Sequence, residues 1–128
     1  MTKILLVDDE ERVLTLYSAI LRREGYEVLT VTNAKMAFEL AVSEQPHLIL
    51  LDVMIPAPDG GNAFRYLSGS ASTRHIPVIF LTSLVEEDEV EAGKGKVGGR
   101  EYISKSTPMT KFVATVKEAL SRTSSKES

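Results

Sequence analysis

The sequence predicts an open, doubly wound α/β domain: one sheet of five parallel strands with helices on both faces. Three observations lead there. Apolar runs alternate with segments of helical period, the order of repeated βα units. The runs Ile4-Leu5-Leu6-Val7, Leu48-Ile49-Leu50-Leu51 and Val78-Ile79-Phe80-Leu81 are continuous rather than alternating, as strands buried on both faces are. Several runs end on polar residues: Asp8-Asp9, Asp52, Thr82-Ser83 and, after Tyr102-Ile103-Ser104, Lys105. In such sheets ligands bind just beyond the carboxyl ends of the strands.

The elements follow in order. After the first strand, a helix starts near Glu10, carries Val13, Tyr17, Ile20 and Leu21 on one face and closes at Gly25. Val28 to Val31 reads as the second strand. Asn33 is an N-cap for a helix with Ala34, Ala37, Phe38 and Ala41 inward, ended by Pro46. The third strand ends at Asp52, followed by the Pro-rich loop Ile55-Pro56-Ala57-Pro58-Asp59-Gly60 and a third helix presenting Ala63, Phe64 and Leu67. The fourth strand opens at Pro77, where a missing N–H is tolerated. Ser83 and Glu86 form a capping-box pair for a fourth helix. Its acidic run Glu86-Glu87-Asp88-Glu89 and the nearby Gly93, Gly95, Gly98 and Gly99 predict a short helix and an irregular loop. A fifth helix follows Pro108, with Met109, Phe112, Val113, Val116 and Leu120 at helical spacing. Residues 1–121 are read as one domain and 122–128 as a polar tail or linker stub. Right-handed crossovers and the flavodoxin-like strand order 2-1-3-4-5 put the first and third strands side by side at the switch point.

Composition narrows the function classes. The 128 residues, 43% apolar and 26% charged, suit one ordinary soluble domain. A net charge of −3 offers no basic stripe for direct nucleic-acid binding. The absence of cysteine excludes disulfides, thiol catalysis and thiolate metal sites. No secretory signal or membrane-length apolar stretch is present, so a cytoplasmic location is expected. His47 and His75 lie beside strand starts, away from the polar rim.

The polar strand ends suit phosphoryl chemistry. Two carboxylates about 4 Å apart repel by about 4 kcal/mol at an effective dielectric near 20. A hard cation such as Mg²⁺ removes that cost using carboxylates, waters and phosphate oxygens. Asp52, alone at the end of the central strand, is the candidate nucleophile for an aspartyl phosphate. Asp8 and Asp9 are the candidate metal residues, Thr82 a hydrogen-bond donor to a phosphoryl oxygen and Lys105 a neutralising charge. Each residue also has a plainer reading: Asp52 as a turn former, the Asp8–Glu11 run as helix N-terminal charge, Thr82 as a cap, Lys105 as a surface residue. Their coincidence at four strand ends argues for the joint reading.

From about Lys3 to Leu120 the chain resembles the receiver domain of bacterial two-component response regulators. The segments that carry the resemblance are Ile4–Glu10, Leu50–Pro56, Asp59-Gly60, Pro77–Ser83 and Tyr102–Lys105. The resemblance implies that Asp52 accepts a phosphoryl group from a histidine kinase or phosphotransfer protein. It further implies direct Mg²⁺ binding by Asp9, Asp52 and the Met54 backbone carbonyl, with Asp8 acting through water. Thr82 and Lys105 would contact the phosphoryl group. Thr82 and Tyr102 would form the switch, signalling to a downstream protein target through the face of the fourth helix, fifth strand and fifth helix. A monomer or weak dimer is implied, and an activity confined to its own phosphorylation and dephosphorylation rather than turnover of an external substrate. Met54 and Leu84 are apolar at positions that tune hydrolysis in this family, implying a phosphorylated state that lasts minutes or longer.

Two features depart from the family pattern. Proline usually follows the lysine directly, whereas here Lys105-Ser106-Thr107-Pro108 delays it, so Lys105 needs a non-proline cis bond or another approach. The stretch Gly93 to Gly99 spells G-x-G-x-x-G but precedes a strand, which is the wrong context for a dinucleotide fingerprint. The alternative function is a receiver-shaped interaction module that works without phosphorylation. A haloacid-dehalogenase-type phosphatase would need D-x-D after the first strand, and Asp8-Asp9-Glu10 lacks that spacing.

Overall fold

The computed structural model describes residues 1–53, 55, 63–83, 96–97 and 100–127. Its elements are, in chain order, β1 (Lys3–Val7), α1 (Glu11–Arg23), β2 (Glu27–Val31), α2 (Ala34–Glu44), β3 (Leu48–Asp52), α3 (Ala63–Gly69), β4 (Val78–Thr82), β5 (Lys96–Val97), β6 (Arg100–Ser104) and α4 (Met109–Glu127). The sheet order is β2-β1-β3-β4-β6-β5. The pairs β2·β1, β1·β3, β3·β4 and β4·β6 are all parallel. These are the five predicted strands in the order 2-1-3-4-5, with β6 as the fifth. The short β5 is an addition: it pairs antiparallel with β6 at the sheet edge, within the glycine-rich stretch expected to be irregular.

Alternating side chains divide the sheet between two cores. Ile4, Leu6, Leu48, Leu50 and Ile103 pack with Leu14, Tyr17 and Leu21 of α1 and Phe112 and Val116 of α4. Leu5, Val7, Ile49, Leu51 and Phe80 pack on the other face with Ala34, Ala37 and Ala41 of α2 and Ala63 and Leu67 of α3. All five residues of β3 are buried, because the strand is paired on both edges and covered on both faces.

Local chemistry sets the helix ends. At the start of α1, Glu10 supplies no side-chain cap; instead the Glu10 amide donates to Asp8 Oδ1 at 2.9 Å. At its end Gly25 adopts φ +94°, a conformation glycine tolerates best. The Gly25 amide donates to the Arg22 carbonyl and the Tyr26 amide to that of Leu21, a Schellman closure. Asn33 caps α2, its Oδ1 accepting the Met36 amide at 2.9 Å. Gln45, left-handed at φ +45°, ends α2 immediately before Pro46.

The last helix is longer than its sequence suggested. The chain is helical through Glu127, where a polar tail was expected from Arg122. No glycine or proline interrupts residues 109–127, so nothing local stops the backbone ladder. The expected fourth helix, Leu84, Met54 and the Asp59-Gly60 loop lie outside the described residues.

Candidate functional site

Register brings the polar ends of the strands together. In the β1·β3 ladder Val7 is level with Leu51, so Asp8 and Asp52 follow as neighbours on the same rim. One strand over, Asp52 is level with Leu81, and Thr82 is level with Ser104. The Lys105 amide then donates to the Thr82 carbonyl at 2.8 Å, extending the β4·β6 ladder by one residue.

Four of the predicted side chains converge. Asp8, Asp9 and Asp52 each offer a carboxylate oxygen, and these atoms lie within 4.8 Å of one another. Lys105 Nζ sits 2.8 Å from Asp8 Oδ2 and 3.6 Å from Asp52 Oδ2. Asp8 is wholly buried and Asp52 is 4% exposed, while Asp9 is open to solvent. The fifth, Thr82, is 1% exposed at the end of β4.

The electrostatics favour a further cation. Three carboxylates face one ammonium, an excess of two negative charges. Each carboxylate pair at such separations costs about 3–4 kcal/mol at an effective dielectric near 20. Asp8 Oδ2 is buried and pairs with the Lys105 ammonium at 2.8 Å. An all-oxygen donor set with one exposed member suits a hard divalent ion that keeps several waters. Burial alone would lower the Lys105 pKa, but Asp8, Asp52 and Glu10 outweigh it and hold the ammonium above its ordinary value. Lys105 therefore stays charged throughout the physiological range.

Tyr102 lies apart from this cluster, on the face of the sheet covered by α2 and α3. Its ring is half-buried and stacks on Phe80 with centroids 5.1 Å apart and planes at 27°. Phe80 meets Phe64 of α3 edge-on at 5.1 Å. A row of three rings thus joins β6, β4 and α3 two residues before Thr82. A cleft of about 320 Å³ bounded by Phe64, Leu67, Arg74 and Pro77 lies toward the amino end of β4, away from the carboxylates.

Some contacts around Lys105 carried no clear signal in the sequence. Glu10 Oε1 stands 4.0 Å from Lys105 Nζ, and its place in the acidic run could have suggested as much. Tyr17, read only as a core residue, has its hydroxyl 3.5 Å from the Lys105 carbonyl, a long contact, while its ring packs 4.7 Å from that of Phe112. The Lys105–Ser106 peptide is trans, since the described residues contain no cis bond. Of the two routes open to Lys105, the chain takes the one without a cis bond. Met54, whose carbonyl was a candidate ligand, falls outside the described residues.

Comparison with known proteins agrees with this architecture. The response regulator receiver domain model matches residues 4–117, and the chain belongs to that family. It is 38% identical over 120 residues to the phosphate regulon transcriptional regulatory protein PhoB of Pseudomonas aeruginosa, an alignment covering 94% of this chain and 52% of PhoB. The chain thus spans about half the length of that relative. Protein PilH of the same organism is 32% identical over 120 residues, covering 94% of this chain and 98% of PilH. A response regulator crystal structure from Desulfuromonas acetoxidans superposes with a TM-score of 0.80 at 30% identity, covering 94% of this chain and 98% of that one. Members of the family are signalling proteins, and phosphorylation-dependent switching is general among them.

Proposed function

We propose that this chain is a phosphorylation switch in which Asp52 is the phosphoacceptor. The observation that carries the reading is the meeting of Asp52 with Asp8, Asp9 and Lys105 at the carboxyl end of the central strand. One Asp52 oxygen would attack the phosphorus of a phosphohistidine on a sensor kinase or phosphotransfer protein. The new O–P bond forms as the P–N bond breaks, and the electron pair leaves with the imidazole nitrogen, which takes up a proton. Lys105 would neutralise a phosphoryl oxygen, and the Thr82 hydroxyl would donate a hydrogen bond to another. Bound Mg²⁺, held by Asp9 and Asp52 with Asp8 assisting through water, would screen charge on the transferred group.

The added charge of about −1.5 to −2 would then bias the Thr82 and Tyr102 pair. The ring row from Tyr102 through Phe80 supports a route from the site to the β6 edge. The output would be altered affinity for a downstream protein through the face that includes β6 and α4. The apolar side chains at Met54 and Leu84 support slow hydrolysis of the phosphoryl group.

Incubation with acetyl phosphate and Mg²⁺, read by intact mass, tests the assignment. One phosphoryl group should be gained by the native chain and none by Asp52→Asn. Failure of the native chain to gain mass would favour a phosphorylation-independent interaction module.

A further inference from the structure

Lys105 has a long, flexible side chain, so its aim depends on how rigidly its backbone is held. Four hydrogen bonds hold it. The Lys105 amide is tied to the Thr82 carbonyl at 2.8 Å. The Thr107 amide donates to the Ser104 carbonyl at 3.0 Å, which makes Ser104 to Thr107 a β-turn with Lys105 and Ser106 at its corner. Inside that turn the Ser106 amide donates to Ser104 Oγ at 3.2 Å, and the two hydroxyls pair at 2.7 Å. A serine side chain accepting from the amide two residues on is a known turn-locking contact. Ser104 is buried and Ser106 exposed, so the bracket is anchored in the sheet and reaches the surface just past Lys105.

We propose that Ser104 and Ser106 are positioning residues for Lys105, their hydroxyl bracket fixing the trans turn that aims its ammonium at the carboxylates. The proposal rests on the role given to Lys105 above. Both serines bond within the turn that carries Lys105, so each acts through the lysine backbone. Misplacing a catalytic group by about 1 Å can cost a factor on the order of 100 in rate, and loosening one turn falls below that limit. Removing a hydroxyl should therefore slow phosphorylation about 3- to 10-fold. Ser106 is exposed, so Ser106→Ala leaves the core intact.

The test uses the full chain with acetyl phosphate at saturating Mg²⁺, the rate of Asp52 phosphorylation being followed by intact mass. Ser104→Ala and Ser106→Ala should each be slowed by that factor, and Ser106→Thr, which keeps the hydroxyl, should stay within about twofold of native. In a Lys105→Met background, Ser106→Ala should cause no further loss, because an effect exerted through the lysine vanishes with it. Amide hydrogen exchange at Ser106 should quicken in Ser104→Ala, reporting the bracket without any phosphoryl chemistry. A Ser106→Ala rate equal to native, alongside a slow Lys105→Met, would overturn this proposal alone. An equal slowing by Ser106→Ala in the Lys105→Met background would overturn it too. A Lys105→Met protein as fast as native would refute the role of Lys105 itself and carry this proposal down with it.

Discussion

Lys105 reaches from the loop after β6 to Asp8 at the end of β1, its Nζ 2.8 Å from a carboxylate oxygen that solvent does not touch. The intervening strands β3 and β4 end in Asp52 and Thr82, both buried. One ammonium thus offsets part of a concentrated negative charge, and the remainder makes the site sensitive to cations.

The exposed member of the cluster offers the cleanest test of that excess charge. Asp9→Asn should raise stability in metal-free buffer by about 1 kcal/mol, since it relieves like-charge repulsion at a solvated position. It should also weaken Mg²⁺ binding by calorimetry. Urea unfolding with and without Mg²⁺ should show the order of the two proteins reversing as the metal is added. Unchanged stability in metal-free buffer would mean the three carboxylates do not repel appreciably.

Lys105→Met should act in the opposite sense. It keeps most of the stem packing but strips the ammonium from Asp8 and Asp52. A loss of about 2–3 kcal/mol is expected without metal, because buried carboxylates are left uncompensated. The loss should shrink in Mg²⁺, measured by the same urea titration.

Tyr17 sets an alkaline signature. Burial raises the pKa of its hydroxyl; Lys105 opposes the shift and Asp8 adds to it. A group that holds its proton more tightly when folded stabilises the fold below its unfolded pKa, here about 10, and that contribution fades as pH climbs through the higher folded value. Ultraviolet titration should show a late-ionising tyrosine that is absent in Tyr17→Phe. The phenylalanine variant should also lose less stability above pH of about 10 than the native chain.

The stacked rings of Phe80 and Tyr102 predict a split between two substitutions. Tyr102→Phe keeps the stack and should change stability by less than about 0.5 kcal/mol, whereas Tyr102→Ala should cost about 1–2 kcal/mol for a half-buried ring. Thermal unfolding distinguishes them. Equal effects would mean that the hydroxyl, rather than the ring, ties β6 to its neighbour.

Much of the architecture was legible because its causes are local. Unbroken apolar runs marked β1, β3 and β4 as buried on both faces, Asn33 marked the start of α2, and Gly25 marked the end of α1. The β5 pair was not legible, since two residues between glycines carry no periodicity to read. The continuation of α4 to Glu127 was missed because a polar, serine-rich composition suggests a frayed end, while the absence of any breaker is what allowed the helix to run on. Asp8, Asp9, Asp52, Thr82 and Lys105 could be grouped from sequence because each stands at or just past the end of a strand, and strand ends on one side of a parallel sheet share a rim.

The sequence by itself determined which residue types stand at the rim and which strands bury them, because burial patterns and strand ends are written in neighbouring residues. Only the tertiary structure decided the distances among residues up to 97 positions apart, from Asp8 to Lys105. Those depend on ladder register and on the turn formed by Ser104 to Thr107. The physical reason is that side-chain aim across four strands is a sum of non-local hydrogen bonds, and no window of adjacent residues contains it.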